Sequence, residues 1–109
     1  MTAIDWRNYT GKSYVNPVKD QGQCGSCWAF AAISVIESRY AIKSGSLYSL
    51  SEQQFVDCAG GVYENNGCGG GMAYAAIEYA QDFGVMEEEK YPYVAKDQNC
   101  TYIESEVQV

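Results

Sequence analysis

The side chains best suited to covalent chemistry lie between residues 21 and 30, in the sequence QGQCGSCWAF. Two cysteines, Cys24 and Cys27, stand in this stretch. Apolar residues then recur at helical spacing, which places Cys27 at the start of a predicted helix. Unpaired backbone N–H groups and the helix dipole favour an anion there, so we expect a stabilised, nucleophilic thiolate. The same N–H groups, with the side-chain amide of Gln21, would hold a developing oxyanion.

Three interpretations compete for the Cys24–Cys27 pair. Cys-x-x-Cys is typical of thioredoxin-like redox proteins, but that motif normally follows a strand, and no strand pattern precedes it here. A zinc site needs four ligands; the chain has no histidine, and Cys58 and Cys68 are too far apart for a typical knuckle. Cys-Gly-Ser/Ala-Cys-Trp/Tyr marks the nucleophile of a class of cysteine peptidases, and residues 24–28 match it throughout. We therefore favour the peptidase interpretation.

Two amphipathic helices are predicted to position this stretch. The first runs from about Ser26 to Lys43 and stops at Gly45. Its apolar face is formed by Ala29, Ala32, Ile33, Ile36 and Tyr40. The other spans roughly Met72 to Phe83 and ends at Gly84. Its inward residues are predicted to be Ala73, Ala76, Ile77 and Ala80.

A short helix is predicted between these two. Ser51 would cap its backbone while Gln54 reaches back, and the helix would end near Cys58. Residues 59–71 hold six glycines and two asparagines, which predicts an irregular loop. No strand pattern is convincing, and we interpret Glu87-Glu88-Glu89 as a solvated acidic turn. The sequence thus predicts one small, mainly helical domain stapled by disulfides.

Composition narrows the class of partner. The chain has 109 residues, 14 acidic and 7 basic side chains, and a net charge of −7. Nucleic acid and anionic membranes attract basic surfaces, so we expect neither as a partner. No apolar run is long enough to span a membrane, and no signal peptide is present, so we expect any leader to have been removed. We expect no metal and no cofactor.

The similarity to known proteins extends beyond the cysteine motif. Six blocks resemble the papain-like cysteine peptidase family and follow one another in the family's order. They are Asp5-Trp6-Arg7, Pro17–Gln21, Leu50–Gln54, Val56-Asp57-Cys58, Gly67–Gly71 and Tyr91-Pro92-Tyr93. The resemblance implies an α+β papain-like fold, of which residues 1–109 are the N-terminal, left half. That half is mainly α.

The resemblance also implies roles for matching positions. Cys27 would be the nucleophile, and Gln21 would form the oxyanion hole with the Cys27 backbone N–H. Candidate substrate-binding residues are Gly25, Trp28, Gly70, Gly71, Met72 and Ala73. The glycines would let a peptide backbone approach, whereas Trp28 has packing at the helix start as its alternative role. The implied disulfides are Cys24–Cys68 and Cys58–Cys100, which leave Cys27 as the one free thiol of five cysteines.

The histidine that such a nucleophile needs is missing. In the family it follows the cysteine by about 130–150 residues, together with an asparagine that orients it. This chain has no histidine, and we expect it to be inactive alone. A complementary C-terminal peptidase chain would complete the site. Without it, the chain would self-associate through the apolar surface that packs against the second half in the family. The alternative is a catalytically silent fragment that binds peptides or inhibitors.

Further expectations follow from the resemblance. The partners would be a peptide or protein substrate and a propeptide or cystatin-like inhibitor, and the location would be lysosomal, vacuolar or secreted. The length of the segment from Asp5 to Gln21 resembles cathepsins C and X, both exopeptidases. Residues 79–84 also resemble cathepsin C, and residues 95–100 resemble cathepsin X.

Overall fold

The computed structural model describes residues 3–109 and is mainly helical. Its α-helices are, in chain order, α1 (Cys27–Ser44), α2 (Glu52–Cys58) and α3 (Ala73–Phe83). Single 3-10 turns lie at Gly61–Tyr63, Gly67–Gly69 and Glu104–Glu106. Within residues 3–109, β pairing is limited to isolated bridges, at Tyr9–Lys12, Leu50–Glu87 and Met86–Val107. The predicted helical, disulfide-stapled domain is confirmed. No helix in this range has the length and apolar character to cross a membrane.

Helix α1 is the centre of the fold, because it packs against both α2 and α3. It starts and ends one residue later than predicted, and Gly45 terminates it in the left-handed conformation at φ 84°. The Gly45 N–H donates to the carbonyl of Ala41 at 2.8 Å, which satisfies one of the last carbonyls of the helix. Buried apolar residues of the core are Trp28, Ala29, Ala32, Ile33, Leu50, Phe55, Val56, Ala59, Ala76, Tyr79 and Val85.

The buried face of α3 differs from the predicted one. The buried residues are Ala75, Ala76 and Tyr79, while the remaining predicted positions are half-buried. Tyr79 decides this orientation, because its ring packs edge-on against Phe55 at 5.7 Å and its hydroxyl accepts from Gln54 Nε2 at 3.1 Å. A tyrosine buries more apolar area than an alanine, so the helix turns Tyr79 inward.

The predicted capping of α2 is half right. Ser51 Oγ accepts from the Gln54 N–H at 3.0 Å, as expected for an N-cap. The Gln54 side chain, however, does not reach back. Its amide oxygen accepts from the Met86 N–H at 2.7 Å, and the Ser51 N–H donates to the Met86 carbonyl at 3.0 Å. Gln54 is fully buried, and its amide therefore satisfies the backbone that follows α3.

A buried ionic cluster joins the N-terminal segment to α1 and α2. Lys19 Nζ lies 2.7 Å from Glu52 Oε2 and 3.4 Å from Glu37 Oε2. Both carboxylates are almost completely buried, with side-chain exposures of 4% for Glu37 and 2% for Glu52. Glu37 also accepts from the Leu50 N–H at 2.8 Å. Removing Lys19 would therefore leave two buried carboxylates without their cation.

Glu88 contradicts the interpretation of residues 87–89 as a solvated acidic turn. Only Glu89 is exposed; Glu88 points into the Lys19 cluster, with its Oε2 buried and 4.0 Å from Lys19 Nζ. Burial, and then its hydrogen bond with Glu52, raises the pKa of Glu88 to about 8. A proton on Glu88 lets this carboxyl donate to the Glu52 carboxylate, which gives the buried Glu88 Oε2 a hydrogen-bond partner that it otherwise lacks within residues 3–109.

This cluster makes stability depend on pH. Glu88 keeps its proton in the folded chain up to about pH 8 but loses it near its ordinary pKa of 4.5 when unfolded. The folded state binds more protons between these values, so stability falls as pH rises through this window. Because Glu88 is partly exposed, we expect the free energy of unfolding to drop by only about 1–2 kcal/mol between pH 5 and pH 8.

Denaturant unfolding of Glu88→Gln and Glu89→Gln at several pH values checks this prediction. The Glu88 variant should lose most of that slope, since it keeps a hydrogen-bond donor at every pH. The exposed Glu89 variant should keep the slope of the unmodified chain. Equal slopes in both variants would contradict the assignment to Glu88.

Candidate active site

Two disulfides connect distant segments of the chain. Cys24 is bonded to Cys68 and Cys58 to Cys100, the pairing that the family resemblance implies. The Cys24–Cys68 bond places the 3-10 turn at Gly67–Gly69 beside the residues that precede α1. Cys27 is therefore free, and a Cys24–Cys27 redox disulfide or a cysteine zinc site is absent from the described chain.

Gly25 is required by this close approach. Its N–H donates to the Cys68 carbonyl at 2.9 Å, next to the disulfide. A Cβ at Gly25 would lie 2.6 Å from the Cys68 carbonyl oxygen, which is closer than a real Cβ contact. A side chain would thus push the two segments apart.

Cys27 is the first residue of α1, and its thiol is exposed to solvent. Its backbone N–H has no acceptor within the described part of the chain, as expected in the first turn of a helix. The preceding Ser26 is fully buried, and the first turn contains no acidic residue. An exposed sulfur thus lies beside a free N–H at the positive end of the helix dipole.

Gln21 is half-buried at the same end of α1. Its side-chain Nε2 donates to the Cys24 carbonyl at 2.8 Å. A primary amide has two N–H groups, so this bond fixes the side chain and leaves the second N–H available to another acceptor. The loop that holds Cys27 therefore also holds an oriented amide donor.

Trp28 lies beneath Gly71. It is 3% exposed, and its indole N–H donates to the Gly67 carbonyl at 3.0 Å. A Cβ on Gly71 would lie 2.8 Å from the Trp28 ring and 2.5 Å from Asn65 Oδ1. In this structure Trp28 packs within the fold, which was its alternative role, and a contact between Trp28 and a substrate stays a prediction.

The other proposed substrate-binding residues form a surface strip. Gly71 and Met72 are exposed, with Met72 at 57%, while Gly70 and Ala73 are half-buried. The backbone N–H and C=O of Gly71 have no hydrogen-bond partner among residues 3–109. A free N–H and C=O on an exposed, side-chain-free segment can pair with an extended peptide.

Asn65 was not among the sequence-based candidates, yet it shapes this strip. It is buried, and its side chain donates to the Ala59 carbonyl and accepts from the Met72 N–H, both at 2.9 Å. These bonds fix the start of α3 relative to the end of α2. The glycine-rich composition around Asn65 concealed it, because asparagine is equally typical of a solvated turn.

The grooves along α1 and α3 lie away from the thiol. A groove of about 350 Å³ runs along α1 from Asn16 to Glu52 and does not include Cys27. Cys27 and the Gly70–Ala73 strip instead lie on an open surface.

Comparison with known families resolves the identity of this arrangement. The profile of the papain family cysteine proteases matches residues 1–109, the whole chain. The chain belongs to the papain family of cysteine proteases. The structure superimposes on part of a solved papain-family protein with a TM-score of 0.87, and its mainly helical fold with two disulfides matches the helical left domain of that family.

That solved structure is a digestive procathepsin L 3 from the larval midgut of Tenebrio molitor. It is 43% identical, and the match covers 95% of this chain and 33% of that one. Digestive cysteine proteinase 1 of Homarus americanus is 54% identical over 93% of this chain and 31% of its own length. Cathepsin K of Gallus gallus is 48% identical over 92% of this chain. This papain-family chain thus spans about a third of the length of its relatives.

The relatives named above are not cathepsins C or X. The resemblance of residues 5–21, 79–84 and 95–100 to those exopeptidases therefore stays a prediction.

The tight fit of Gly71 gives a testable prediction. Gly71→Ala should lower the free energy of unfolding by about 1–3 kcal/mol, because the new Cβ must displace the Trp28 ring and the Asn65 amide. Thermal or denaturant unfolding measures the change. Met72→Ala is the matched control and should change stability little, because the Met72 side chain is mostly exposed. An unchanged stability in Gly71→Ala would contradict the close packing of Gly71 against Trp28 and Asn65.

Proposed function

We propose that this chain is the helical half of a papain-like cysteine peptidase and carries its nucleophile, Cys27. The observation that supports the proposal is the one free thiol of the described chain, exposed at the start of α1. The other four cysteines are bonded in pairs that hold this position. A structural cysteine would be buried or paired, whereas a nucleophile must be accessible.

In the proposed reaction the Cys27 thiolate attacks the carbonyl carbon of a peptide bond. The carbonyl oxygen then carries negative charge and accepts from the Cys27 N–H and from the second N–H of Gln21 Nε2. Both donors are held by the backbone around α1 before substrate arrives, so little reorganisation is needed. The Gly70–Ala73 strip would pair with the backbone of the substrate through Gly71 and border a side-chain pocket at Met72 and Ala73.

The reaction also needs a proton donor for the leaving amine. This chain has no histidine, and neither Gln21 nor the backbone can supply that proton. We therefore propose that the base and its orienting asparagine belong to a C-terminal half, and that the isolated chain does not hydrolyse peptides. That half would also supply the second wall of the cleft.

The surface of α1 supports such a partner. A groove of about 320 Å³ between α1 and α3 is lined mainly by apolar residues; they include Val35, Ile36, Tyr40, Ile77 and Val109. Val35 is 58% exposed in the middle of α1. Apolar surface of this kind on a central helix is typical of an interface, so we expect the C-terminal half, or a second copy in its absence, to cover it.

The remaining partners are proposed from the relatives. A procathepsin among them supports a propeptide as a binding partner of the cleft, and digestive proteinases support a protein substrate. Cystatin-like inhibitors would compete for the same cleft. The two disulfides favour an oxidising compartment, and we propose a secreted, lysosomal or vacuolar location.

Reconstitution tests the proposed function. This chain is co-expressed with the segment of the Homarus digestive cysteine proteinase 1 that follows the matched region, and hydrolysis of a fluorogenic peptide amide is measured. The reconstituted pair should be active, and Cys27→Ser should lower its rate by about 10³-fold or more. The isolated chain should be inactive. Comparable hydrolysis by the Cys27→Ser pair would contradict the assignment of the nucleophile.

The missing histidine also favours a second candidate, a catalytically silent domain that binds peptides or inhibitors. The two candidates differ in their response to a peptidyl epoxide, followed by intact mass. A silent domain would bind a peptide or propeptide reversibly, but the epoxide would leave Cys27 unmodified in the reconstituted pair. One adduct at Cys27 in that pair, absent from Cys27→Ser, would favour the peptidase.

A further inference from the structure

The hydroxyl of Tyr93 lies between the two ends of the loop that precedes Cys27. It donates to the backbone carbonyl of Gln21, and it lies 2.7 Å from Ser26 Oγ. Because the Tyr93 proton is used on Gln21, the Ser26 hydroxyl is the donor in the second bond. Two hydrogen bonds therefore follow one another: Ser26 donates to the Tyr93 hydroxyl, and Tyr93 donates to the Gln21 carbonyl. Each bond polarises the other.

Other contacts hold Tyr93 itself in place. Its ring packs edge-on against Phe30, in the first turns of α1, with centroids 4.9 Å apart. Its backbone N–H donates to Glu88 Oε1 at 2.9 Å. The phenol is thus anchored to α1 and to the segment that follows α3, and its hydroxyl has little freedom to follow the loop.

The loop has few other restraints before Cys24. Residues 20, 22 and 23 are exposed, and the Gly22 N–H donates only to Asp20 Oδ1 at 2.8 Å. The Gln21 side chain donates to the Cys24 carbonyl, three residues away. Within the described chain, Tyr93 thus makes the only hydrogen bond that ties residues 20–23 to a distant part of the fold.

We propose that Tyr93 is a positioning residue, whose hydroxyl fixes the Gln21 backbone and thereby aims the Gln21 amide at the carbonyl oxygen of the substrate. This inference rests on the proposed function for its consequence but not for its geometry. Tyr93 itself touches neither substrate nor thiol. The Gln21 amide must stay oriented when charge develops on the substrate, and a side chain on a freely moving loop could not do so.

The direct test is the exchange of the Gln21 side-chain amide with water, measured by NMR on the isolated chain. Tyr93→Phe keeps the ring packing and removes the hydroxyl; we expect exchange to rise about tenfold. Ser26→Ala removes the donor to Tyr93 and should give a smaller rise in the same direction. Tyr102→Phe is the matched control, because it removes another tyrosine hydroxyl, bonded to the Phe83 carbonyl at 2.7 Å. It should leave Gln21 unchanged.

A second measurement separates positioning from general destabilisation. A peptide aldehyde adds to Cys27: sulfur bonds to the carbonyl carbon, the C=O π bond opens, and the thiol proton ends on the new hydroxyl. Iodoacetamide instead alkylates sulfur, with loss of iodide and of the thiol proton. That reaction does not add to a carbonyl, so it needs no oxyanion hole. Tyr93→Phe should weaken aldehyde binding about tenfold while changing the alkylation rate less than twofold.

These outcomes distinguish the two proposals. Unchanged Gln21 exchange in a folded Tyr93→Phe chain would overturn the positioning role, as would equal losses in aldehyde binding and alkylation. If Tyr93→Phe does not fold, unchanged exchange in Ser26→Ala overturns it. A wild-type chain whose Cys27 reacts with neither reagent would instead count against the proposed nucleophile, and the exchange data would still decide the role of Tyr93.

Discussion

The Cys24–Cys68 disulfide is the constraint on which the site depends. It joins the residues before α1 to a turn 44 positions away, across a distance that leaves no room for a side chain on Gly25. Trp28 reinforces the same junction from below through its bond to the Gly67 carbonyl. Closing a loop of this length by a covalent bond stabilises a small chain by about 4 kcal/mol in the chain-entropy account. The Cys24–Cys68 disulfide therefore holds the start of α1 next to the glycine-rich strip.

The chemistry proposed for Cys27 depends on the position that this disulfide gives to the start of α1. The start of α1 supplies a free N–H and a positive dipole end, and the preceding loop supplies an amide from Gln21. The chain has no histidine that could act as the base. These features fit the proposed arrangement. The helical half holds the nucleophile and the N–H groups that bind the oxyanion, while a second half transfers the proton.

Much of this architecture could be predicted from the sequence, because it is carried by local signals. The period of α1 and its stop at Gly45 are properties of neighbouring residues, and the predicted bounds differ by one position. The errors lie where distant segments meet. Tyr79 turned α3 because of a partner on α2, and Glu88 points toward Lys19, about 70 positions earlier in the chain. A run of acidic residues has no local feature that indicates which member is buried. Tyr93 belonged to a recognised block, but only the fold places its hydroxyl at Gln21.

If the Cys24–Cys68 disulfide makes Cys27 a reactive nucleophile, its loss should slow the reaction of the thiol. The rate at which iodoacetamide alkylates Cys27 in two double variants measures this effect. Cys24→Ala/Cys68→Ala removes this disulfide, and Cys58→Ala/Cys100→Ala removes the other, of similar loop length. We predict that the first variant reacts like an unstructured peptide thiol, whereas the second is less stable but keeps the rate of the unmodified chain under conditions where it remains folded. Equal rates in the two folded variants would show that the Cys24–Cys68 disulfide does not make Cys27 reactive.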